Sequence, residues 1–421
     1  MQRDSPKSRL KMNIELDKLS NLPRDVTEKI LSILPIKEAV RTSILSSEWR
    51  YKWAMVPDLV FDELGFPGVL YKLDKLVKMV DHVLFLHIGP INKVKLSHKG
   101  LKGTADIDRW ILHLSRNSMK EFIFKFWKKP EYKMPSCLFS CQDLVHLELC
   151  NCLLKPPRTF KGFKSLKKLE IESVTQTQDE FENLIVCCPL LKYLTMIDCH
   201  GFTKLKIDAP NLRIFCLLGA FEDLSFQNTL KLTSIAIYLT ANGDQRRQKP
   251  GISSNLLKLF DQCAYVQTAN ILGYFLKYLA VGDLPVKRPK PCLHLKLLRI
   301  NIDFNDLKEV LSTLYLLRSA PALQKLYIRV RQEGQALVGE VNSWLDGNQN
   351  FQLGKLQIVE VRGITSTKAV LDFIKFLLLN SPMLEKVFVK PASHYSSSEL
   401  LVRLSQFRRS SALVEIMHLD P

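Results

Sequence analysis

The stretches "LVHLELCNC" (residues 144–152) and "LKYLTMIDC" (residues 191–199) space their large apolar residues identically, and each ends on cysteine three positions later. Reduced to L-x-x-L-x-L, with L standing for any large apolar residue, the pattern recurs along most of the chain. It reads as Ile91-Val94-Leu96, Met119-Phe122-Phe124, Leu144-Leu147-Leu149, Leu166-Leu169-Ile171, Leu191-Leu194-Met196, Leu212-Phe215-Leu217 and Leu232-Ile235-Ile237. After a gap it returns as Leu297-Ile300-Ile302, Leu323-Leu326-Ile328, Leu356-Val359-Val361 and Leu384-Val387-Val389. The first seven starts are 28, 25, 22, 25, 21 and 20 residues apart, which is the period of a leucine-rich repeat.

A strand sends alternate side chains to opposite faces, so the second and third template residues of each unit point one way and those between them the other. One such strand cannot bury its apolar side alone, and neighbouring units must stack into a continuous parallel sheet. Between strands, "DEFENLIVCCPLLKYL" (179–194) sets Phe181, Leu184, Ile185 and Cys188 at helical spacing before Pro189 stops the helix. The segments "NDLKEVLSTLYLLRSAPALQKL" (305–326) and "AVLDFIKFLLLNSPMLEKV" (369–387) repeat this order. The expected fold is an α/β right-handed solenoid with helices outside and the parallel sheet on its concave face.

Composition narrows the function classes. Of 421 residues, 46% are hydrophobic, too many for a largely disordered chain, and the formal charge is +18. The basic residues are spread through the sequence apart from short runs such as "DQRRQKP" (244–250) and "PVKRPKP" (285–291). The second run has the composition of a nuclear import signal and equally of a solvated loop. No nucleic-acid-binding motif is present, so nucleic acid is not the expected partner. The first residues, "MQRDSPKSRLKMNIELDKL", contain no signal-peptide apolar core, and no run approaches the roughly 18 apolar residues that span a bilayer. The ten cysteines are irregularly placed, which fits reduced thiols in the nucleus and/or cytoplasm and no membrane partner.

Cys137, Cys141, Cys150 and Cys152, with His146 among them, invite a zinc reading. Cys152 occupies a repeat core position, however, and no second C-x-x-C pair follows, so buried structural thiols are expected. No H-E-x-x-H, G-x-S-x-G, P-loop or G-x-G-x-x-G occurs, and no catalytic residue, metal site or cofactor is expected.

The N-terminal stretch "IELDKLSNLPRDVTEKILSILPIKEAVRTSILSSEWRYKWAMVP" (14–57) has a different grammar. Pro23 opens a helix carrying Val26, Ile30 and Leu34, and Pro35 breaks it. A second short helix carries Ala39, Val40, Ile44 and Leu45, and Ser46 or Ser47 can cap a third turn with Trp49 and Trp53. Three short helices in about 40 residues make a marginal core. The unit reads either as a cap for the solenoid or as a docking module.

These residues resemble an F-box: the opening Leu22-Pro23, Ile30-Leu31, the Leu-Pro-Ile turn at 34–36, Ala39-Val40, Leu45-Ser46 and the closing Trp49 with Trp53. From about Leu353 the tail is similar to the FBD segment, and with repeats between, the chain resembles the plant F-box/FBD/LRR-repeat proteins. The expected organisation is F-box 14–57, leucine-rich repeats 58–340 and an FBD segment 341–421 that continues and caps the solenoid. Glu48 departs from the Lys or Arg frequent before the first tryptophan in that family.

The resemblance implies the substrate-recognition subunit of an SCF-type ubiquitin ligase. Its F-box would dock on a Skp-type adaptor, linked in turn to a cullin-RING ligase, and its repeats would bind a target protein. Adaptor contact would fall to Leu22, Pro23, Ile30, Leu34, Pro35, Val40, Leu45 and Trp49, with Leu34 and Val40 divided between contact and core. Trp53 would pack toward the solenoid. Target contact is expected on the outward face of the sheet, at His146, Glu148, Tyr193, Arg299, Lys325, Tyr327 and Phe388. A leucine-rich-repeat scaffold, or a basic nucleic-acid-associated protein outside any ligase, is the alternative.

Overall fold

A computed structural model describes residues 22–66, 73–99, 101, 105–127, 131–240, 259, 262, 264–279, 291–331, 351–364, 368–392 and 397–419. The runs 244–250 and 285–290 lie outside the described residues, as do positions 14–21 of the N-terminal stretch. The chain divides into two compact units, Met1–Met119 and Lys120–Pro421.

The first unit opens with helix α1 (Arg24–Ile33), bounded by Pro23 before it and Leu34-Pro35 after it, and helix α2 (Ile36–Arg41). The expected third helix is absent. A 3-10 turn (Thr42–Ile44), a run of turns and a second 3-10 turn (Lys52–Met55) take its place. The reason lies in the side chains: the Thr42 hydroxyl donates to the carbonyl of Ala39 (2.7 Å) and that of Ser43 to the carbonyl of Arg50 (2.9 Å), competing with helical bonding.

Strand β1 (Asp58–Asp62), helix α3 (Leu73–Leu86), strand β2 (Lys93–Ser97) and helix α4 (Ala105–Leu114) complete this unit, and β1 pairs in parallel with β2. Residues on either side of position 57 pack together. Trp53 stacks on His82 of α3 with ring centroids 6.3 Å apart, and the His87 ring bonds the carbonyl of Val56 (2.8 Å).

In the second unit the strands are β3 (Glu121–Lys125), β4 (Tyr132–Lys133), β5 (His146–Cys150), β6 (Cys152–Leu153), β7 (Lys168–Glu172), β8 (Tyr193–Ile197) and β9 (Lys204–Asp208). They continue with β10 (Ile214–Gly219), β11 (Asp223–Gln227), β12 (Ser234–Leu239), β13 (Thr268–Gly273) and β14 (Leu297–Ile302). The last four are β15 (Lys325–Val330), β16 (Ile358–Ile364), β17 (Lys386–Pro391) and β18 (Glu415–His418). Its long sheet runs β3-β5-β7-β8-β10-β12-β13-β14-β15-β16-β17-β18, each strand parallel to its neighbours. This is a leucine-rich-repeat sheet, with template residues such as Leu147, Leu169, Leu194 and Phe215 in register and buried.

Helices α5 (Gln178–Val186), α6 (Phe275–Leu279), α7 (Leu307–Ser319), α8 (Lys368–Asn380) and α9 (Ser397–Ser405) fill return segments. Thr177 and Glu180 form a reciprocal capping box at the start of α5. Not every return is helical. After β8 and β10, where the template starts are only 21 and 20 residues apart, the short strands β9 and β11 pair with each other instead. Those returns are too short for a helix of several turns plus its connections.

The corners after β5, β7, β8 and β11 each make one sharp change of direction. Asn151, Ser173, Asp198 and Asn228 supply it with φ of 55°, 50°, 45° and 52°, and short polar side chains tolerate that left-handed region best after glycine. At Gly162 (φ +97°) a Cβ would sit 1.9 Å from the carbonyl oxygen of Cys187. Gly162→Ala is therefore expected to lose at least about 2 kcal/mol in urea denaturation, through both the clash and the strained φ. Gly354→Ala, with no atom within 4 Å of its added Cβ, is the matched control and should leave stability unchanged.

Candidate functional site

The N-terminal module buries one face of α1 and leaves another bare. Thr27 and Leu31 point into the core, joined there by Ile36, Ala39, Trp49, Trp53 and Ala54. The adjacent stripe, Val26, Ile30 and Ile33 at i, i+4 and i+7, is exposed, with Ile33 at 76%. Ile44 and Leu45, beyond α2, are 84% and 57% exposed. Large aliphatic side chains left bare this close together in sequence form a candidate contact surface.

Of the expected adaptor residues, Pro23, Ile30, Pro35 and Leu45 are exposed, and Leu22, Leu34 and Val40 are half-buried. Trp49 differs from expectation. At 3% exposure it is a core residue, with the Lys52 ammonium 4.8 Å from its ring centroid, so its ring offers no surface to a partner. Val26, Ile33 and Ile44, not among the expected contacts, are exposed as well. The i, i+4, i+7 stripe was visible in sequence, but periodicity does not say which apolar stripe faces inward when Thr27 and Leu31 offer a competing one. Glu48 is exposed beside this surface in sequence.

On the second unit, the open face of the sheet carries the expected target residues in two groups. His146 (β5) and Tyr193 (β8) share a transverse row with Lys168 between them, and Glu148 faces Glu170 in the next row. Arg299 (β14) lies beside Tyr327 (β15), its guanidinium 4.9 Å from the ring centroid, with Lys325 on the same strand and Phe388 on β17. Strands β10, β12 and β13 separate the two groups.

The first group is internally neutralised. Lys125 pairs with Glu148 (2.5 Å), Lys168 with Glu170 (2.6 Å), and the His146 Nε2 lies 2.9 Å from Glu170. Burial would raise the Glu170 pKa, but the bonds from Lys168 and His146 outweigh it and hold this carboxyl below the usual carboxylate range. His146, Glu148 and Glu170 bring ligand atoms within 4.8 Å of one another. A divalent cation could use them only by displacing both lysines.

Of the four cysteines raised as a zinc set, three belong to the repeat core and Cys137 is half-buried. Cys141, Cys150 and Cys152 are buried; burial pushes the Cys141 and Cys150 thiols up to about 12 and raises that of Cys152 as well. The Cys199 thiol, 3.6 Å from the carbonyls of both Ile171 and Ile197, spans two repeats. In the native protein at pH 8, iodoacetamide mapped by mass spectrometry should modify the half-buried Cys137 and Cys187 well before Cys141, Cys150, Cys152 or Cys188.

Comparison with known proteins matches this architecture segment by segment. A family model described as "FBD-associated F-box protein At5g56370, LRR repeats" matches residues 107–328, one for the F-box domain matches 19–61, and one for FBD matches 353–388. The F-box/FBD/LRR-repeat protein At1g13570 of Arabidopsis thaliana is 35% identical over 412 residues, 96% of this chain and 99% of that one. The chain belongs to the F-box/FBD/LRR-repeat family. FBD-associated F-box protein At5g56370, also of Arabidopsis thaliana, is 30% identical over 228 residues, 52% of this chain and 53% of its own. Among solved structures, the leucine-rich repeat-containing protein LegL7 from Legionella pneumophila aligns at 13% identity with a TM-score of 0.24, covering 56% of this chain and 90% of that one. That likeness is too loose to carry an argument.

The family matches align with the structure. The F-box match contains α1, α2 and the bare aliphatic surface, together with most of β1. The FBD match contains α8 and β16 and reaches into β17, which extend the repeat sheet beyond β15. Among the described residues no helix is long and apolar enough to cross a membrane.

Proposed function

We propose that this chain is the substrate-recognition subunit of an SCF-type ubiquitin ligase. The observation that carries the reading is the bare aliphatic surface of the F-box: Ile30, Ile33, Ile44 and Leu45 lie exposed around a module whose own core is already filled by Leu31, Trp49 and Trp53. A Skp-type adaptor covers that surface, flanked by Leu22, Pro23 and Pro35, and links the chain to a cullin-RING ligase. The open face of the repeat sheet holds the target. The chain itself carries out no bond chemistry; it raises the effective concentration of the target's lysines near the charged conjugating enzyme. Such a subunit works in the nucleus and/or cytoplasm.

Tagged full-length protein captured from plant extract should recover both a Skp-type adaptor and a cullin. Recovery of neither overturns the proposal. The charge of +18 favours a second reading, a repeat scaffold or nucleic-acid-associated protein outside any ligase. That reading requires nucleic-acid binding that falls steeply with added salt.

A further inference from the structure

The two ends of the open sheet face in the second unit differ in how their charges are used. On β3–β7 the lysines stand against carboxylates, as in the Lys125–Glu148 and Lys168–Glu170 pairs. On β14–β17, among the described residues, no lysine is held in an ion pair, although Glu415 of β18 stands beside Lys386 in its row. There Lys325 and Lys386 stand in one outward row, and Arg329, Arg362 and Lys390 occupy another on three successive strands. Between them runs a central row of Arg299, Tyr327, Glu360 and Phe388. Glu360 is engaged by Arg362 within the patch. Among the described residues, no carboxylate pairs with Lys325, Arg329, Lys386 or Lys390, and the first three are exposed.

Neighbouring strands are about 4.8 Å apart, and residues four apart along a strand about 13 Å. The patch is therefore two cationic rows about 13 Å apart, the first with Ile358 between its lysines, flanking a row in which Tyr327, Glu360 and Phe388 are half-buried. Like charges held this close repel one another, and that strain is relieved when an anionic partner replaces water between them.

We infer that this patch, built jointly by the last repeat strands and the FBD strands, binds an acidic segment of a partner protein that places an apolar side chain between its carboxylates. In naming that partner a target, the inference rests on the ligase reading; the binding itself does not. A single-stranded nucleic acid fits less well. The Arg299 guanidinium covers the Tyr327 ring on which a base would stack.

The test uses full-length protein and a fluorescent synthetic peptide of about ten residues, glutamates and aspartates around two phenylalanines, read by anisotropy. Saturable binding is expected, absent for the same peptide with glutamine and asparagine replacing the acids. Combined K325E, R329E and K386E should weaken it at least about 10-fold, whereas K204E on the exposed strand β9 should not. If the triple variant fails to fold, the wild type still decides: raising salt from about 50 to 500 mM must weaken the peptide substantially. Equal binding of the neutral peptide, insensitivity to salt or charge reversal, or tighter binding of single-stranded RNA at the same residues overturns the inference. Adaptor binding measured on the same proteins separates the two readings. Peptide binding without adaptor binding sinks the ligase alone, and adaptor binding without peptide binding sinks this site alone.

Discussion

In urea denaturation, Arg331→Met is expected to lower the stability of the second unit by about 3–5 kcal/mol. Glu309 on α7 is only 1% exposed, yet its carboxyl group is fully engaged. Arg331, directly after β15, reaches its carboxylate with one nitrogen at 2.5 and 2.6 Å, and the Asp303 amide donates to it at 3.0 Å. The Arg331 guanidinium lies 4.6 Å from the Tyr274 ring centroid, so the cation is itself packed. Removing arginine strands a buried carboxylate. Replacing both partners by apolar residues, as in the double variant Glu309→Leu with Arg331→Met, should recover much of the loss, because no orphan charge is left.

The pH dependence of that variant has a definite sign. Burial pushes the Glu309 carboxyl upward even against the opposing pull of Arg331 and the Asp303 amide. Without Arg331 the upward shift grows. A carboxyl with a folded pKa above its unfolded value favours the folded state while protonated and loses that advantage as pH rises through the folded pKa. The deficit of Arg331→Met relative to wild type should therefore be smaller at pH 5 than at pH 8. A deficit that grows on acidification would contradict the assignment.

The second large effect concerns docking. Ile30→Glu combined with Leu45→Glu should cut adaptor affinity at least about 100-fold while leaving the thermal transition in place, since both side chains are exposed and each replaces an apolar contact with a charge. Trp49→Ala should also lose the adaptor, by a different route: deleting a buried indole costs about 3–5 kcal/mol and undoes the module that presents the surface. Circular dichroism alongside the binding measurement distinguishes the two. If Trp49→Ala stays fully folded yet loses the adaptor, the core assignment of Trp49 is wrong.

These residues also show how far sequence reasoning reaches. The leucine-rich-repeat fold was legible because eleven in-order matches to one template leave little else to build. Strands β1, β13 and β18 escaped it. β13 buries Ala269 where a large residue was sought, and β18 leaves Leu413 exposed while Val414 is buried. At β14 the reading fell two residues out of step. Leu298 and Ile300, not Ile300 and Ile302, align with Leu326 and Ile328, and Leu297 faces outward. A period of two preserves the faces under such a slip, which is why Arg299 still came out on the open side.

The site was less legible than the fold. Tryptophan suggests an interface anchor and a core residue equally well, and only packing showed that both Trp49 and Trp53 are core. The pairing state of charges on the open face depends on register between strands about 25 residues apart or more. No local pattern reports it.

The most direct test of the account is a titration of purified full-length protein with a purified Skp-type adaptor, followed by calorimetry. The wild type is expected to bind one to one with a dissociation constant in the micromolar range or tighter, and the Ile30→Glu, Leu45→Glu protein to show no binding at the same concentrations. An adaptor that fails to bind the folded wild type, or that binds both proteins equally, would contradict the claim that the bare surface of this F-box is its docking site.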